Sequence, residues 1–215
     1  MMEHKSISLA EQVFDRLEGD ILTGVYSHGA LLTEAGLAAD LGVSRTPIRE
    51  AIHRLEQEHI IEITPKGILV IGVTQQDLED IFRIRIRIEG IASGFAAERI
   101  TDEQLNELRE TLELQEFYVQ KHDADHIKIY DSKFHQLIYL FSGSNAFYDT
   151  LMPLHKKVQK FRKASVQNES RAERSAKEHR AIYEAIAARD SDRAIRATVE
   201  HIANAAFHIL KKEVL

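Results

Sequence analysis

The sequence predicts a mainly α protein in two parts with one small β element, and three observations predict it. Only 3 Pro and 10 Gly interrupt 215 residues, which leaves room for long helices. Apolar residues recur at three- and four-residue spacing along most of the chain. Short β-rich runs bounded by turn residues gather around Pro65-Lys66-Gly67. The 44% hydrophobic content suffices for a core, and with no Trp that core is expected to be Leu, Ile and Ala packed between helices. Absence of Cys excludes disulfides, thiolate metal sites and cysteine nucleophiles. No run approaches ~18 apolar residues, so no membrane span is expected. Met1-Met2-Glu3-His4-Lys5 leads into no signal-peptide core, and a cytoplasmic protein is expected.

Ser8, with Glu11 three residues on, opens a first helix whose Val13, Leu17 and Ile21 face inward. Thr33 caps a short second helix carrying Leu37, Ala38 and Leu41, which Gly42 ends. Gly42-Val43-Ser44 is a tight turn, and Ser44 caps a third helix with Ile48, Ile52 and Leu55 buried. Arg45 and Arg49 project together from another face of that helix. Ile60-Ile61-Glu62-Ile63-Thr64 and Ile68-Leu69-Val70-Ile71 then form a small hairpin about Pro65-Lys66-Gly67. Helix, short helix, turn, helix, hairpin is a winged helix-turn-helix, expected to occupy 1–72.

Such a module would present the third helix to the major groove N-terminus first. Arg45 and Arg49 can reach guanine edges or phosphates, Thr46 a base edge or the backbone, and Lys66 at the hairpin tip a neighbouring phosphate. Ser44 joins this set at the helix start. Charge opposes the reading at first sight. The chain carries a net charge of −6, and residues 1–72 hold six basic against eleven acidic side chains. Four of the six cations, however, lie between Arg45 and Lys66, and DNA requires positive charge only where phosphates sit.

From Thr74 onward the pattern is helical over 75–99, 101–121, 124–141, 145–166, 169–188 and 191–212, an antiparallel bundle of six helices over 73–215. Thr74, Thr101 and Asn145 are candidate caps. The run Phe82-Arg83-Ile84-Arg85-Ile86-Arg87-Ile88 alternates with period two, yet its flanks continue a helical pattern. The expected inward stripe is Ile81, Ile84, Ile88 and Ala92, with Arg85 on the same face. Four polar side chains fall on apolar helix faces: Asp131 and His135 with Ile127, Phe134 and Ile138; His179 with Ala176, Ile182 and Ile186; His201 with Ile195, Thr198, Ile202 and Ala205. An unpaired buried polar group costs roughly 2–7 kcal/mol. One carboxylate and three imidazoles from three helices would solve that problem together by holding one metal ion. His4, His28, His122, His126 and His155 are expected to face solvent.

Leu41-Gly42-Val43-Ser44-Arg45-Thr46-Pro47-Ile48-Arg49-Glu50-Ala51-Ile52 with Arg54-Leu55-Glu56 resembles the signature of GntR-family transcription regulators. Three departures stand out. Ala35 follows Glu34 where the family often has a DNA-contacting Arg, His59 replaces the usual Gly after the recognition helix, and the wing is about one residue short. They imply fewer phosphate contacts and modest affinity. Asp131-Ser132-Lys133-Phe134-His135, Glu178-His179-Arg180-Ala181-Ile182-Tyr183-Glu184-Ala185-Ile186 and His201-Ile202 resemble the FCD ligand-binding domain of one GntR subfamily, the FadR type. Six helices match its smaller, VanR-like variant.

That resemblance implies a divalent metal on Asp131, His135, His179 and His201, zinc first, with nickel, manganese or iron as alternatives. It also makes Arg85, within Ile84-Arg85-Ile86-Arg87-Ile88-Glu89, the anion anchor for a small organic acid, with Asn204 and Tyr139 supplying hydrogen bonds. The expected protein is a homodimeric repressor on a palindromic operator in double-stranded DNA, and not an enzyme. The alternatives are a regulator that senses the ion itself, a structural ion beside a vestigial pocket, and a metal-dependent hydrolase.

Overall fold

The computed structural model describes residues 8–161 and 169–211. Contacts divide the chain into two compact units, one up to Thr74 and one from Gln75. The first holds α1 (Leu9–Leu22), β1 (Leu31–Leu32), α2 (Glu34–Leu41), α3 (Arg45–Gln57), β2 (Ile61–Thr64) and β3 (Gly67–Val70). Ser8 accepts from the Glu11 N–H and Thr33 from the Gly36 N–H, so both helix starts are capped as their sequences predict. Val13, Leu17, Ile21, Ile48, Ile52 and Leu55 form the core between α1 and α3.

The hairpin is part of a larger sheet. β3 lies between β2 and β1, antiparallel to both, with Leu31 opposite Leu69 and Thr64 opposite Gly67. Leu31-Leu32 is too short to stand out in sequence, and it pairs only because β3 offers it a free edge. Gly67 is required here: its φ is +131°, and a Cβ would lie 2.8 Å from the Leu32 carbonyl oxygen. His59 stands at φ 57, the left-handed conformation that glycine would adopt after α3.

The second unit contains α4 (Gln75–Arg99), α5 (Asp102–Gln120), α6 (Ala124–Phe141), α7 (Asn145–Phe161), α8 (Glu169–Ala187) and α9 (Ser191–Leu210). Six helices are present among its described residues; the predicted extensions over 162–166 and at 212 lie outside them. Thr101 forms a full capping box with Gln104. Asn145 is the first residue of α7 rather than its cap. Ala92, Ala96, Leu108, Leu112, Phe134, Ile138, Leu151, Ile182 and Ile186 build the core.

The period-two run in α4 is helical, but its buried face differs from the expected stripe. Ile81, Arg85 and Ala92 are buried as expected, but Ile84 is 42% exposed, whereas Phe82, Ile86 and Glu89 are buried. The face has rotated because α4 packs on α9 through Gly90 and Gly94. A Cβ on Gly90 would lie 2.9 Å from Val199 Cγ2, and one on Gly94 2.9 Å from Ile195 Cγ1. Between these glycines Thr198 donates to the Ser93 hydroxyl at 2.7 Å, locking the register of α4 on α9. Replacing Gly94 with Leu should therefore overpack this seam and cost about 1–3 kcal/mol, read as a lower denaturation midpoint. An unchanged midpoint would mean that the two helices can separate freely.

Candidate metal centre and nucleic-acid interface

Three imidazoles meet in the second unit. His135 comes from α6, His179 from α8 and His201 from α9, and all are at most 1% exposed. Each sits on the buried stripe of its own helix, so helical periodicity aims all three at one place. His201 Nε2 is 3.2 Å from His179 Nε2 and 3.2 Å from His135 Nε2. Phe134 stacks on His179 at 4.4 Å between centroids and fixes that ring.

The outer nitrogens are already committed. His201 Nδ1 is 2.7 Å from Glu178 Oε2, His179 Nδ1 is 2.7 Å from Gln115 Oε1, and His135 Nδ1 is 3.3 Å from Glu89 Oε2. Carboxylate and amide oxygens only accept, so each Nδ1 carries the ring proton and each Nε2 is left with a lone pair. Three lone pairs then face one another with no proton between them. A cation among them resolves the conflict, and imidazoles oriented by oxygen acceptors are the usual surroundings of a bound ion. The spacing agrees: two nitrogens about 2.0–2.1 Å from one zinc, at angles of about 90–109°, stand about 2.8–3.4 Å apart. The donor set therefore fits a divalent ion.

Asp131 is buried on α6 one turn before His135, with Oδ1 3.9 Å from His179 Nε2 and accepting from Ser175 Oγ at 3.4 Å. It stands beside the three imidazoles rather than within their close group. Arg85 is fully buried and ion-paired with Glu89. Its charge is thus already matched inside the fold. Burial opposes the charge on Glu89, but Arg85 and His135 outweigh it and hold the carboxyl well below the usual range. Tyr139 is buried beside this pair and interacts electrostatically with both members, and among the described residues its hydroxyl has no hydrogen bond of good geometry. Asn204 departs from expectation: it is exposed and donates to Glu178 Oε1 at 2.9 Å, so it meets His201 only through that carboxylate.

His155 corrects the sequence reading. It is 2% exposed, with Nε2 3.3 Å from Ser132 Oγ and Nδ1 3.5 Å from Arg85 Nη2. Leu151, His155 and Val158 share the buried stripe of α7, the same signal that singled out the other three imidazoles. His28, His122 and His126 are exposed as expected, and His4 lies outside the described residues. Glu89, Gln115 and Glu178 also escaped sequence reasoning. Glu89 follows Arg85 by four residues on one helix, and Gln115 continues the Leu108–Thr111–Leu112 face, so both were open to the same test.

In the first unit Ser44, Arg45, Thr46, Arg49 and Lys66 are all exposed. Ser44 occupies the cap position of α3, but its side chain makes no capping bond. Arg49 does not project freely beside Arg45: its Nε donates to Glu34 Oε2 of α2 at 2.8 Å. Arg54 turns back over Phe14, 3.9 Å from the ring centroid.

The model of the FCD domain matches residues 80–204, more than half of the chain, and that of the bacterial regulatory proteins of the gntR family matches residues 9–70. The chain belongs to the GntR family of DNA-binding transcription regulators. It is 28% identical over 193 residues to the HTH-type transcriptional repressor RspR of Escherichia coli, covering 89% of this chain and 85% of that protein. It is 27% identical over 201 residues to the HTH-type transcriptional regulator YdhC of Bacillus subtilis, covering 92% and 89%. Among solved structures, E. coli McbR/YncC superposes with a TM-score of 0.77 at 26% identity, covering 96% of this chain and 98% of that one. These domains and relatives are those of regulators, not enzymes. Among the described residues no helix is long and apolar enough to cross a membrane.

The site carries a sign for pH. Burial pushes the His201 imidazole down to about 4 from 6.5, the Glu178 bond opposes the fall, and the neighbouring His135 adds to it. As pH falls from 6.5 to 4 the unfolded chain takes up a proton that the folded one refuses. Stability from this group is therefore complete above pH 6.5 and declines by up to about 1.4 kcal/mol per pH unit toward 4. Glu89 and Glu178, both lowered, add losses of the same sign at lower pH. Chelator-treated protein should need less denaturant to unfold at pH 5.5 than at 7.5, and His201→Gln should shrink that gap; greater stability at pH 5.5 would contradict the burial of a neutral ring.

Proposed function

We propose that this chain is a ligand-responsive repressor. Residues 1–72 read operator DNA through Ser44, Arg45, Thr46, Arg49 and Lys66, and residues 73–215 hold a divalent ion and sense a small organic acid. The observation that carries this reading is the convergence of three Nε2 lone pairs whose Nδ1 partners are fixed. His135, His179 and His201 would hold the ion, with Asp131 one side-chain adjustment away. Imidazole and carboxylate donors without thiolate suit zinc, with nickel, manganese and iron as alternatives. A bound ion supplies a positive centre for a carboxylate oxygen. Arg85 Nη1 and the Tyr139 hydroxyl, buried and without a hydrogen bond among the described residues, would supply hydrogen bonds to the rest of the acid. Asn204 has its part through Glu178.

Repression follows the relative RspR, which is named a repressor. A homodimer on a palindromic operator is supported by the outer face of α4. Ile84 and Ile91, 42% and 46% exposed and seven residues apart, flank half-buried Ile88 in a stripe that a second copy would cover. Two such copies present two recognition helices to two half-sites. Among the described residues, the pair Arg49–Glu34 leaves Arg45 as the guanidinium of the recognition helix without an ion pair, and opening the pair is part of the cost of binding. A regulator in which the ion itself is the signal is the second reading; burial of all three imidazoles favours a permanently held ion over it.

Elemental analysis after dialysis should find one divalent ion per chain, lost in His179→Ala. In a fluorescent-operator titration Arg45→Ala should cost about 1–3 kcal/mol, while a bound acid should change the wild-type affinity roughly 5–150-fold. A metal-free wild type would remove the sensor reading and leave the DNA-binding one standing.

A further inference from the structure

The three imidazoles are equally buried, but the groups behind them are not. Glu89, behind His135, has 1% of its side chain exposed, and Gln115, behind His179, is 0% exposed. Glu178, behind His201, has 19% of its side chain exposed. The rings are held to differing degrees in the same order. Phe134 stacks on His179, and Phe134, Tyr139 and His155 all lie within 6.3 Å of the His135 ring, centroid to centroid. Among the described residues the ring neighbours of His201 are the other two imidazoles, at 4.5 and 5.1 Å. Glu178 also carries more than its ring. It accepts from His201 Nδ1 at 2.7 Å, from Arg171 Nη1 at 2.9 Å and from Asn204 Nδ2 at 2.9 Å. Asn204 is exposed. Arg171 and Glu178 stand on α8, His201 and Asn204 on α9, so one carboxylate clasps the two helices together beside the centre.

We propose that this α8–α9 clasp is the entrance to the buried centre: Glu178 is its latch, and His201 is the ring that turns outward with it. The proposal deepens the metal-and-acid reading above and rests on it, since a centre with every ring locked could neither take up an ion nor admit an acid. The helix α9 is itself fixed on α4 by the Thr198–Ser93 bond at 2.7 Å, one turn before His201. Opening therefore proceeds through side chains and α8, not by lifting α9. Releasing Asn204 gives up one hydrogen bond at the surface. Releasing His135 or His179 would strand the Glu89 carboxylate or the Gln115 amide in the core, at a higher cost. Local openings draw on the hydrogen bonds that water already reaches. Glu178 is thus a positioning residue: it turns His201 toward the other two rings while the clasp is shut and frees it when Asn204 and Arg171 let go.

Site-resolved acylation by diethyl pyrocarbonate, which attacks neutral imidazole nitrogens, tests the route in chelator-treated full-length protein. Initial rates are read for each histidine by peptide mass spectrometry. His201 should react before His135 and His179. Asn204→Ala should speed its reaction roughly 2–10-fold, the weight of one hydrogen bond. Glu178→Gln should speed it further, because the bonds to Arg171 and His201 lose their charge. Arg180→Gln breaks the Arg180–Glu116 pair on the same helix without touching the clasp, and should leave the rate unchanged. In zinc-loaded protein, transfer of zinc to a colorimetric chelator should accelerate in the same order across the variants. His135 or His179 reacting as fast as His201 overturns the proposal, as does an equal acceleration in Arg180→Gln. Asn204→Ala keeps the test decisive if Glu178→Gln does not fold, and an unchanged His201 rate in it also overturns the proposal. Zinc release that ignores a faster His201 overturns it too, since the ion would then leave another way. Failure to load zinc removes the metal reading, while the order of ring reaction still decides whether the clasp opens.

Discussion

The constraint on which the second unit depends is the fixed direction of three imidazole rings. Each is held from behind by an oxygen acceptor on a different helix: Glu89 of α4, Gln115 of α5 and Glu178 of α8. Those acceptors decide which ring nitrogen keeps its proton, and the decision leaves three lone pairs in mutual contact. Such a core is unfavourable alone and would be favourable around a cation, and an ion held there would give the helices a shared reason to converge beyond apolar packing.

The backbone supplies the precision this needs. Gly90 and Gly94 let α4 approach α9 closely, and the Thr198–Ser93 bond locks the helices in register. Glu89 and His201 lie within a turn of that seam, on the two sides of it. The Arg85–Glu89 pair is then buried as a consequence of the same approach, and it keeps Glu89 ionised behind His135. Close packing, ion pairing and ring orientation are thus linked on one helix. The N-terminal unit depends on a simpler arrangement, in which α1 supports α3 and leaves the start of α3, with Arg45, facing outward.

Most of the fold was legible because helical periodicity is a strong signal and caps such as Ser8, Thr33 and Thr101 mark its starts. β1 was not, since two leucines carry no alternation and acquire an edge only through β3. The three imidazoles were legible as polar groups on apolar stripes. His155 met the same criterion on α7 and was passed over in favour of solvent. Ile84 was misassigned because the alternating run offers two helical faces, and only the glycine seam with α9 decides between them. Glu89, Gln115 and Glu178 were harder: their roles appear only when helices distant in sequence bring a carboxylate or amide behind a ring. The Arg49–Glu34 pair likewise joins two helices and is invisible to any pattern along one of them.

The central claim concerns where three protons sit, and nitrogen-15 NMR of the histidine side chains reads that directly. At neutral pH, His135, His179 and His201 should all appear as neutral rings protonated at Nδ1, and adding zinc should move their Nε2 resonances together. Rings protonated at Nε2, or doubly protonated, with no response to zinc, would contradict the account.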